Sequence, residues 1–318
     1  MKLHTPLLAL ATALVPLLAP ACSARARPPQ GKLTGYDVLA LPGERVRLRV
    51  KVERDGPGFI NPDLDEIEIE FLRLTEPQAP QEFPDPGAPP PAEAVRAGAA
   101  SSGKDGVAAI DIDAPAAPGD HRFWARLRDP NRLTLKDPAA PIHLVVMPPD
   151  GPIVITDIDN TIARTALGPL LDDKPDEVEP LPDAAWVLGA LGRGTTVIYI
   201  TARPTYLTQR TKRWLHAHKF PAGPVFLRDV GAEYRSLNFD EGEFKRAFIA
   251  EQIRKKWKEI RWGFGNTSND LLGYCENGIR TILVGAKPDE IPAKYRGMAS
   301  IDSSWKGIAY SLGLLGDK

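Results

Sequence analysis

The hydrophobic period of this chain changes once, at Pro148-Pro149-Asp150-Gly151-Pro152. Before that point apolar residues alternate with period two. Val46, Leu48, Val50 and Val52 share one face, opposite Arg45, Arg47, Arg49 and Lys51. Ile67, Ile69 and Phe71 alternate with Glu66, Glu68 and Glu70, and Phe123, Ala125 and Leu127 alternate with Arg126 and Arg128. Successive side chains of a strand point to opposite faces, so this is the pattern of strands half-buried in a sandwich. After the break, continuous apolar runs replace the alternation. Such runs suit strands buried on both faces of a parallel sheet, joined by crossover helices. One layer architecture does not satisfy both patterns, so the chain divides into two domains.

Residues 34–148 are expected to form an all-β, immunoglobulin-like sandwich. Pro42-Gly43, Gly56-Pro57-Gly58 and Pro118-Gly119-Asp120 supply its turns. The cysteine-tryptophan-cysteine signature of antibody domains is absent, so the expectation concerns architecture alone. Residues 149–318 are expected to form an α/β, doubly wound domain. Its predicted strands are 153–155, 195–200, 225–227, 260–264 and 281–284, and its predicted helices 184–191, 206–218, 243–258 and 271–277. The chain holds 32 prolines in 318 residues, about twice average usage. Many fall in 76–104, which reads as a long mobile loop inside the first domain because its composition offers little apolar area to bury.

Residues 1–21 read as an export signal. Lys2 and His4 give a positive start, an apolar stretch runs from Leu7 to Leu18, and small residues Ala19 and Ala21 precede Cys22. The stretch is too short to span a bilayer comfortably. Two readings of Cys22 stand: a lipidated N-terminus followed by a tether over 22–33, or a residue of an ordinary cleaved signal. The first makes the protein a membrane-anchored lipoprotein of a bacterial cell envelope. Cys275 is the remaining cysteine, so there is no disulfide framework. Lys and Arg number 40 against 41 Asp and Glu, which leaves no basic excess for nucleic acid.

Chemistry concentrates in the second half. The first predicted strand there ends in Thr156-Asp157-Ile158-Asp159-Asn160-Thr161. Paired carboxylates past a buried strand are costly unless something neutralises them, and Mg²⁺ with its preference for oxygen ligands would. The next long strand ends in Thr201-Ala202-Arg203, Lys245 opens a later helix, and Gly265-Asn266-Thr267-Ser268-Asn269-Asp270 follows a further strand. A doubly wound fold gathers strand ends around one cleft.

The Asp-x-Asp-x-Thr element, Thr201, Lys245 and the loop from Gly265 to Asp270, in that order, resemble the haloacid dehalogenase-like phosphohydrolases. The closer likeness is to the catalytic domain of lipin-type Mg²⁺-dependent phosphatidate phosphatases. It rests on Asp157-Ile158-Asp159-Asn160-Thr161, on Phe264-Gly265-Asn266-Thr267-Ser268-Asn269-Asp270 with Tyr274, and on Pro221-Ala222-Gly223-Pro224. The likeness runs from about Ile153 to Pro288 and does not reach the first domain. It implies that Asp157 is the nucleophile and Asp159 the general acid and base. Thr201, Lys245, Thr161 and Arg203 would bind substrate phosphate, with a structural pairing the alternative for Arg203. Asp157, Asp159, Asp270 and Asn266 would hold Mg²⁺. Some lipid-transfer proteins carry a lipin-like domain that lacks the first aspartate and binds phosphatidate without hydrolysing it; here both aspartates are present.

The reading is therefore a Mg²⁺-dependent phosphomonoesterase with phosphatidate as leading substrate. A phosphatidate-binding module without turnover, or a phosphatase for soluble or protein phosphates, are the alternatives. The expected partners are a phospholipid head group, the membrane, and a protein met through the sandwich. The basic segment holding Arg210, Lys212, Arg213, His216, His218 and Lys219 is expected to be a solvated face, or one that meets anionic lipid. The run Asp172-Asp173-Lys174-Pro175-Asp176-Glu177 is expected to be a flap.

Overall fold

The computed structural model describes residues 28–56, 61–78, 82–165, 177–229, 240–287 and 290–315. The export signal, Cys22 and residues 172–176 of the expected flap lie outside them.

In the first half, two sheets face each other. One has the order β6-β3-β1-β8, from β1 (Gln30–Tyr36), β3 (Arg45–Arg54), β6 (Val107–Asp113) and β8 (Thr134–Leu135). The other has the order β2-β9-β7-β4-β5, from β2 (Val38–Ala40), β4 (Glu68–Arg73), β5 (Val95–Ser101), β7 (Gly119–Leu127) and β9 (Ala140–Val146). Val46, Leu48, Val50 and Val52 turn inward onto Ile69, Phe71, Phe123 and Ile142. The arginines opposite them reach across the outer face, Arg47 to Asp111 and Arg45 to Asp113. Burying one such aliphatic or aromatic side chain stabilises the fold by roughly 1.5–3 kcal/mol, whereas exposed ion pairs contribute at most about 1 kcal/mol. The inner face therefore sets the register.

The expectation of a mobile loop over 76–104 is corrected. Residues Val95–Ser101 form β5, paired with β4 at the sheet edge. Their side chains are small, so the composition showed little apolar area; Ala97 and Ala100 nevertheless pack on the sandwich core. Upstream, Phe83 is 1% exposed and belongs to the core of the second half.

The second half is a six-stranded parallel sheet in the order β12-β11-β10-β13-β14-β15. Its strands are β10 (Ile153–Thr156), β11 (Thr196–Pro204), β12 (Val225–Arg228), β13 (Ile260–Gly265), β14 (Thr281–Val284) and β15 (Ala299–Asp302). The described helices are α1 (Ala184–Gly192), α2 (Thr208–Ala217), α3 (Glu241–Phe248), α4 (Ser268–Cys275) and α5 (Trp305–Ser311). A 3₁₀ turn, Thr205–Leu207, leads into α2, and α3 passes into a π-helical stretch, Ile249–Arg254, so each predicted long helix is two pieces. β15 and α5 had no counterpart in the sequence reading, because Ala299-Ser300-Ile301-Asp302 holds a single large apolar residue. Strand order reverses direction at β10, which pairs with both β11 and β13. The crevice of a doubly wound sheet opens at such a switch point.

The two halves are joined by a polar seam with a buried centre. Asp37, between β1 and β2, pairs with Lys212 of α2 at 2.6 Å, with the two side chains 0% and 1% exposed. The same carboxylate accepts the backbone N–H of His143 and of Val225. Lys212 also donates to the Pro141 carbonyl. Arg213 pairs with Asp137, and His216 Nδ1 lies 2.8 Å from the Phe83 carbonyl. The expected solvated or lipid-facing side of α2 is thus corrected: Lys212 is spent on the sandwich domain. Among the described residues, no helix is long and apolar enough to cross a membrane.

Candidate active site

β10 delivers Asp157 to the mouth of the crevice, and its backbone N–H donates to the Phe264 carbonyl of β13. The chain then turns sharply. Asn160 takes φ 54°, a left-handed conformation that asparagine tolerates better than most residues. The turn brings Thr161 back, and its hydroxyl donates to Asp157 Oδ2 at 3.2 Å and lies 3.3 Å from Asn266 Oδ1.

Lys245 comes from α3. Asp240 caps that helix by accepting the N–H of Glu243, and Gly273 of α4 lets α3 approach closely, since a Cβ there would meet Lys245 Cβ at 2.7 Å. Lys245 is 4% exposed and donates to Asp157 Oδ1 at 2.8 Å and to Asp270 Oδ1 at 2.5 Å. Asp270 stands at the start of α4 with its second oxygen, Oδ2, accepting the N–H groups of Asn266 and Thr267. This is the reciprocal capping arrangement of a helix start. Gly265 makes room for it: a Cβ there would lie 2.3 Å from Asp270 Cβ.

Asp159 is held differently. Arg203, from the end of β11, forks onto both of its oxygens at 2.8–3.1 Å, and Thr165 and Thr201 donate to it as well. Arg203 is itself 5% exposed and donates to Thr211 Oγ1 of α2. The resting structure thus gives Arg203 a carboxylate partner, the alternative that its sequence position left open.

The electrostatics follow from these contacts. Three carboxylates, Asp157, Asp159 and Asp270, face two cations, Lys245 and Arg203. The excess negative charge falls on Asp157. Burial pushes its carboxyl up to about 7, with Asp270 and Asp159 adding and Lys245 opposing. Burial disfavours the charge on Lys245, but Asp157 and Asp270 outweigh it and hold the ammonium well above the usual lysine range. Burial also opposes ionisation of Asp159, yet the Arg203 guanidinium and its hydrogen bonds win and lower it.

The residues present fit a hard divalent cation. Asp157 Oδ2 and Asn266 Oδ1 both approach one hydroxyl, Thr161 Oγ1, which has a single hydrogen to give. Oxygen donors of this kind, with a backbone carbonyl and water, make a Mg²⁺ site, and the local charge excess favours one. Among the described residues, no group of three or more His, Cys, Asp or Glu side chains could hold a metal. Asp270 Oδ1 accepts from Lys245, and Oδ2 accepts from the N–H groups of Asn266 and Thr267.

Three residues of this network were not singled out in the sequence. Thr165 lies outside every predicted element, and Thr211 lies inside the predicted helix 206–218, where nothing in the sequence marks it as a partner of Arg203. Trp305 of α5 donates its indole N–H to the Thr161 carbonyl and packs on Phe264 with ring centroids 4.9 Å apart.

Comparison with known proteins places this segment. Protein retinal degeneration B of Drosophila melanogaster is 32% identical over 88 residues, 28% of this chain and 6% of that protein. The chain thus spans a small part of the curated relative it matches. Among solved structures, a D,D-heptose 1,7-bisphosphate phosphatase from B. bronchiseptica, complexed with magnesium and phosphate, is 16% identical. It covers 51% of this chain and 97% of its own, with a TM-score of 0.38. A haloacid dehalogenase-like hydrolase from Streptococcus pneumoniae is 12% identical, covering 51% and 98%, with a TM-score of 0.37. Residues 154–284 match the family model of the PITM 1-3 LNS2 domain. That segment runs from β10 through β14 and contains Asp157, Asp159, Thr201, Arg203, Lys245, Asn266 and Asp270.

Proposed function

We propose that this protein hydrolyses phosphate monoesters with Mg²⁺, and that phosphatidate is its leading substrate, as in lipin-type phosphatases. The observation that carries the reading is the contrast between the two aspartates. Asp157 is backed by Lys245 at 2.8 Å in the crevice, and Asp159 stands beside it on a separate set of donors. Two carboxylates with pKa values pushed apart are the mark of divided roles.

In this mechanism the Asp157 carboxylate attacks phosphorus, the bond to the ester oxygen breaks, and Asp159 gives that oxygen its proton. Asp159 then takes a proton from water as the water oxygen attacks the aspartyl-phosphate, which frees inorganic phosphate and restores Asp157. Thr201 and Lys245 hold the phosphoryl oxygens as charge develops. A phosphoryl dianion in the crevice competes for the Arg203 guanidinium. That loosens its grip on Asp159 and raises the Asp159 pKa, so the acid form becomes available at the moment it is needed. Asp157, Asn266 and the Asp159 carbonyl would hold Mg²⁺, which supplies charge neutralisation between nucleophile and substrate.

The second reading is binding of a phosphorylated head group without turnover. The fork of Arg203 on Asp159 favours it, because it keeps the general acid ionised at rest. Export with lipidation at Cys22 would set either activity at a bacterial membrane, and the sandwich would meet a protein partner there. The test is phosphate release from micellar phosphatidate and from a panel of soluble phosphomonoesters, with Mg²⁺, with chelator, and with Asp157→Asn. Selective Mg²⁺-dependent release from phosphatidate supports the proposal. Release from soluble esters alone keeps the chemistry and removes the lipid. No release, with vesicle binding retained in both forms, favours the second reading.

A further inference from the structure

Arg203 stands at a point where the sheet does not hold it. β11 and β12 pair in register from Tyr199 with Val225 to Thr201 with Leu227, and the ladder then slips before Pro204 meets Arg228. Ala202 and Arg203 lie in that slip. Irregularities of this kind occur beside active sites, where they re-aim a side chain. They also remove the constraint of the ladder. An arginine has several rotamers to lose on ordering. Arg203 is nevertheless buried and forks onto Asp159 at 2.8–3.1 Å. Its placement has to come from the chain that follows.

That chain, from Thr205 to Arg213, is gripped at both ends by the sandwich domain. At its start the Thr205 side chain hydrogen-bonds the Tyr36 phenol of β1, and Lys32 of the same strand lies over the Tyr206 ring, 5.5 Å from its centroid. At its end Lys212 is buried against Asp37 and the Pro141 carbonyl, and Arg213 pairs with Asp137. Between these contacts the wholly buried Thr211 accepts from Arg203 Nη1 at 3.2 Å. Thr211 and Lys212 are consecutive, so they point about 100° apart around α2. One side chain meets the arginine and the next meets the sandwich. A second tie between the halves bypasses this segment: Lys256, beyond the π-helical stretch, pairs with Glu44 at 2.6 Å. That pair is 24% and 28% exposed, close to the 22% and 21% of Arg213 and Asp137.

We propose that the sandwich domain is the positioning element for Arg203. By clamping Thr205–Arg213 it sets where Thr211 stands, and Thr211 sets where the guanidinium stands in the crevice. Tyr36, Asp37 and Asp137 are positioning residues that act through Thr205, Lys212 and Arg213. The proposal rests on the reading of Arg203 and Asp159 as parts of the catalytic site. A misplacement of about 1 Å set up far from the chemistry can cost on the order of a hundredfold in rate, so a clamp of this kind has a measurable task.

The test follows the Arg203 Nε–H by ¹⁵N–¹H spectroscopy of the full chain with chelator present, the signal being assigned by its loss in Arg203→Lys. Thr211→Val, Thr211→Ser, the double variant Tyr36→Phe with Asp137→Asn, and Glu44→Gln are compared with wild type, each checked for a folded signal. In wild type the signal is expected apart from those of solvated arginines and slow to exchange. In Thr211→Val and in the double variant it is expected to move toward them and to exchange about tenfold faster. Thr211→Ser, which restores the acceptor, and Glu44→Gln, which weakens the seam elsewhere, are expected to leave it in place. In a phosphate-release assay kcat/KM is expected to fall roughly tenfold in the first two variants and to hold in the last two. An Arg203 signal unmoved by Thr211→Val and by the double variant overturns the proposal. So does one moved as far by Glu44→Gln, since any loosening of the seam would then suffice. If wild type releases no phosphate from any ester, the hydrolysis reading fails, and the spectra alone decide where Arg203 gets its position.

Discussion

Trp305 donates its indole N–H to the carbonyl of Thr161 at 2.7 Å, across 144 positions of sequence. Its ring meanwhile packs on Phe264, whose own carbonyl receives the N–H of Asp157. One buried side chain from outside the matched segment therefore holds both the turn after β10 and the strand β13, the two pieces that frame Asp157. Trp305→Phe keeps the ring and deletes the bond. It should cost about 1 kcal/mol of stability, read by urea denaturation. Turnover should fall roughly ten- to a hundredfold with a smaller change in KM, because the turn that carries Thr161 against Asp157 is loosened while Thr201 and Lys245 keep their places. An unchanged kcat in the folded variant would show that Trp305 only fills space.

Metal binding should release a proton. Asp157 is pushed up to about 7 by burial, and a cation requires it ionised. Mg²⁺ affinity should therefore climb with pH until about 7 and level off above it. Calorimetry in buffers of different ionisation enthalpy measures the proton directly. The same shift has a stability consequence in metal-free protein. A carboxyl with a raised folded pKa stabilises fully below its unfolded value, near 3.9, and loses that contribution as pH rises through about 7. The difference in Tm between wild type and Asp157→Asn should change across that window and be flat above it.

Asp159 behaves in the opposite sense. The Arg203 guanidinium overcomes the burial cost and lowers its pKa. Its contribution to stability is present above the unfolded carboxylate value, near 3.9, and is lost as pH falls through the folded one. Acid titration of wild type against Asp159→Asn should show the two curves converging at low pH. Arg203→Lys keeps the charge and removes the fork. It should reduce turnover at every pH and shift the acid limb of the stability curve upward.

The seam offers a test of another kind. Breaking a buried ion pair from one side leaves an uncompensated charge and costs about 3–5 kcal/mol. Lys212→Met alone should therefore destabilise strongly in urea titrations, with Asp37 left to two backbone donors. Adding Asp37→Asn to Lys212→Met should recover part of the loss, since the stranded carboxylate is gone. Strict additivity of the two changes would mean that the pair does not interact.

Much of the site was readable because its residues follow local rules. Asp157 and Asp159 come directly after a four-residue apolar strand, and Asp270 opens a helix three residues after Thr267. Each lies where a doubly wound sheet must place it. The alternation over residues 45–54 fixed which face of β3 is buried. What escaped were features set by distant partners or by small side chains. β5 is built on alanine and glycine, so hydrophobic period barely registers it. Lys212 looks like any helix lysine until Asp37, 175 positions away, is brought against it. The Arg203 fork likewise depends on a turn that the sequence places near Asp159 but does not orient.

The carboxylate of Asp37 has implications for how this protein can be cut and combined. Its three donors come from α2, β9 and β12, two of them from the second half. A second half expressed from residue 149 would leave the Lys212 ammonium uncovered and without its counter-charge, and would have a vacant socket where Phe83 had been. The sandwich alone would inherit the matching anion. Neither piece is a portable module. An inactive fragment would report on that severed pair rather than on the chemistry, and a gene fusion that exchanged one half would need to carry both ends of it.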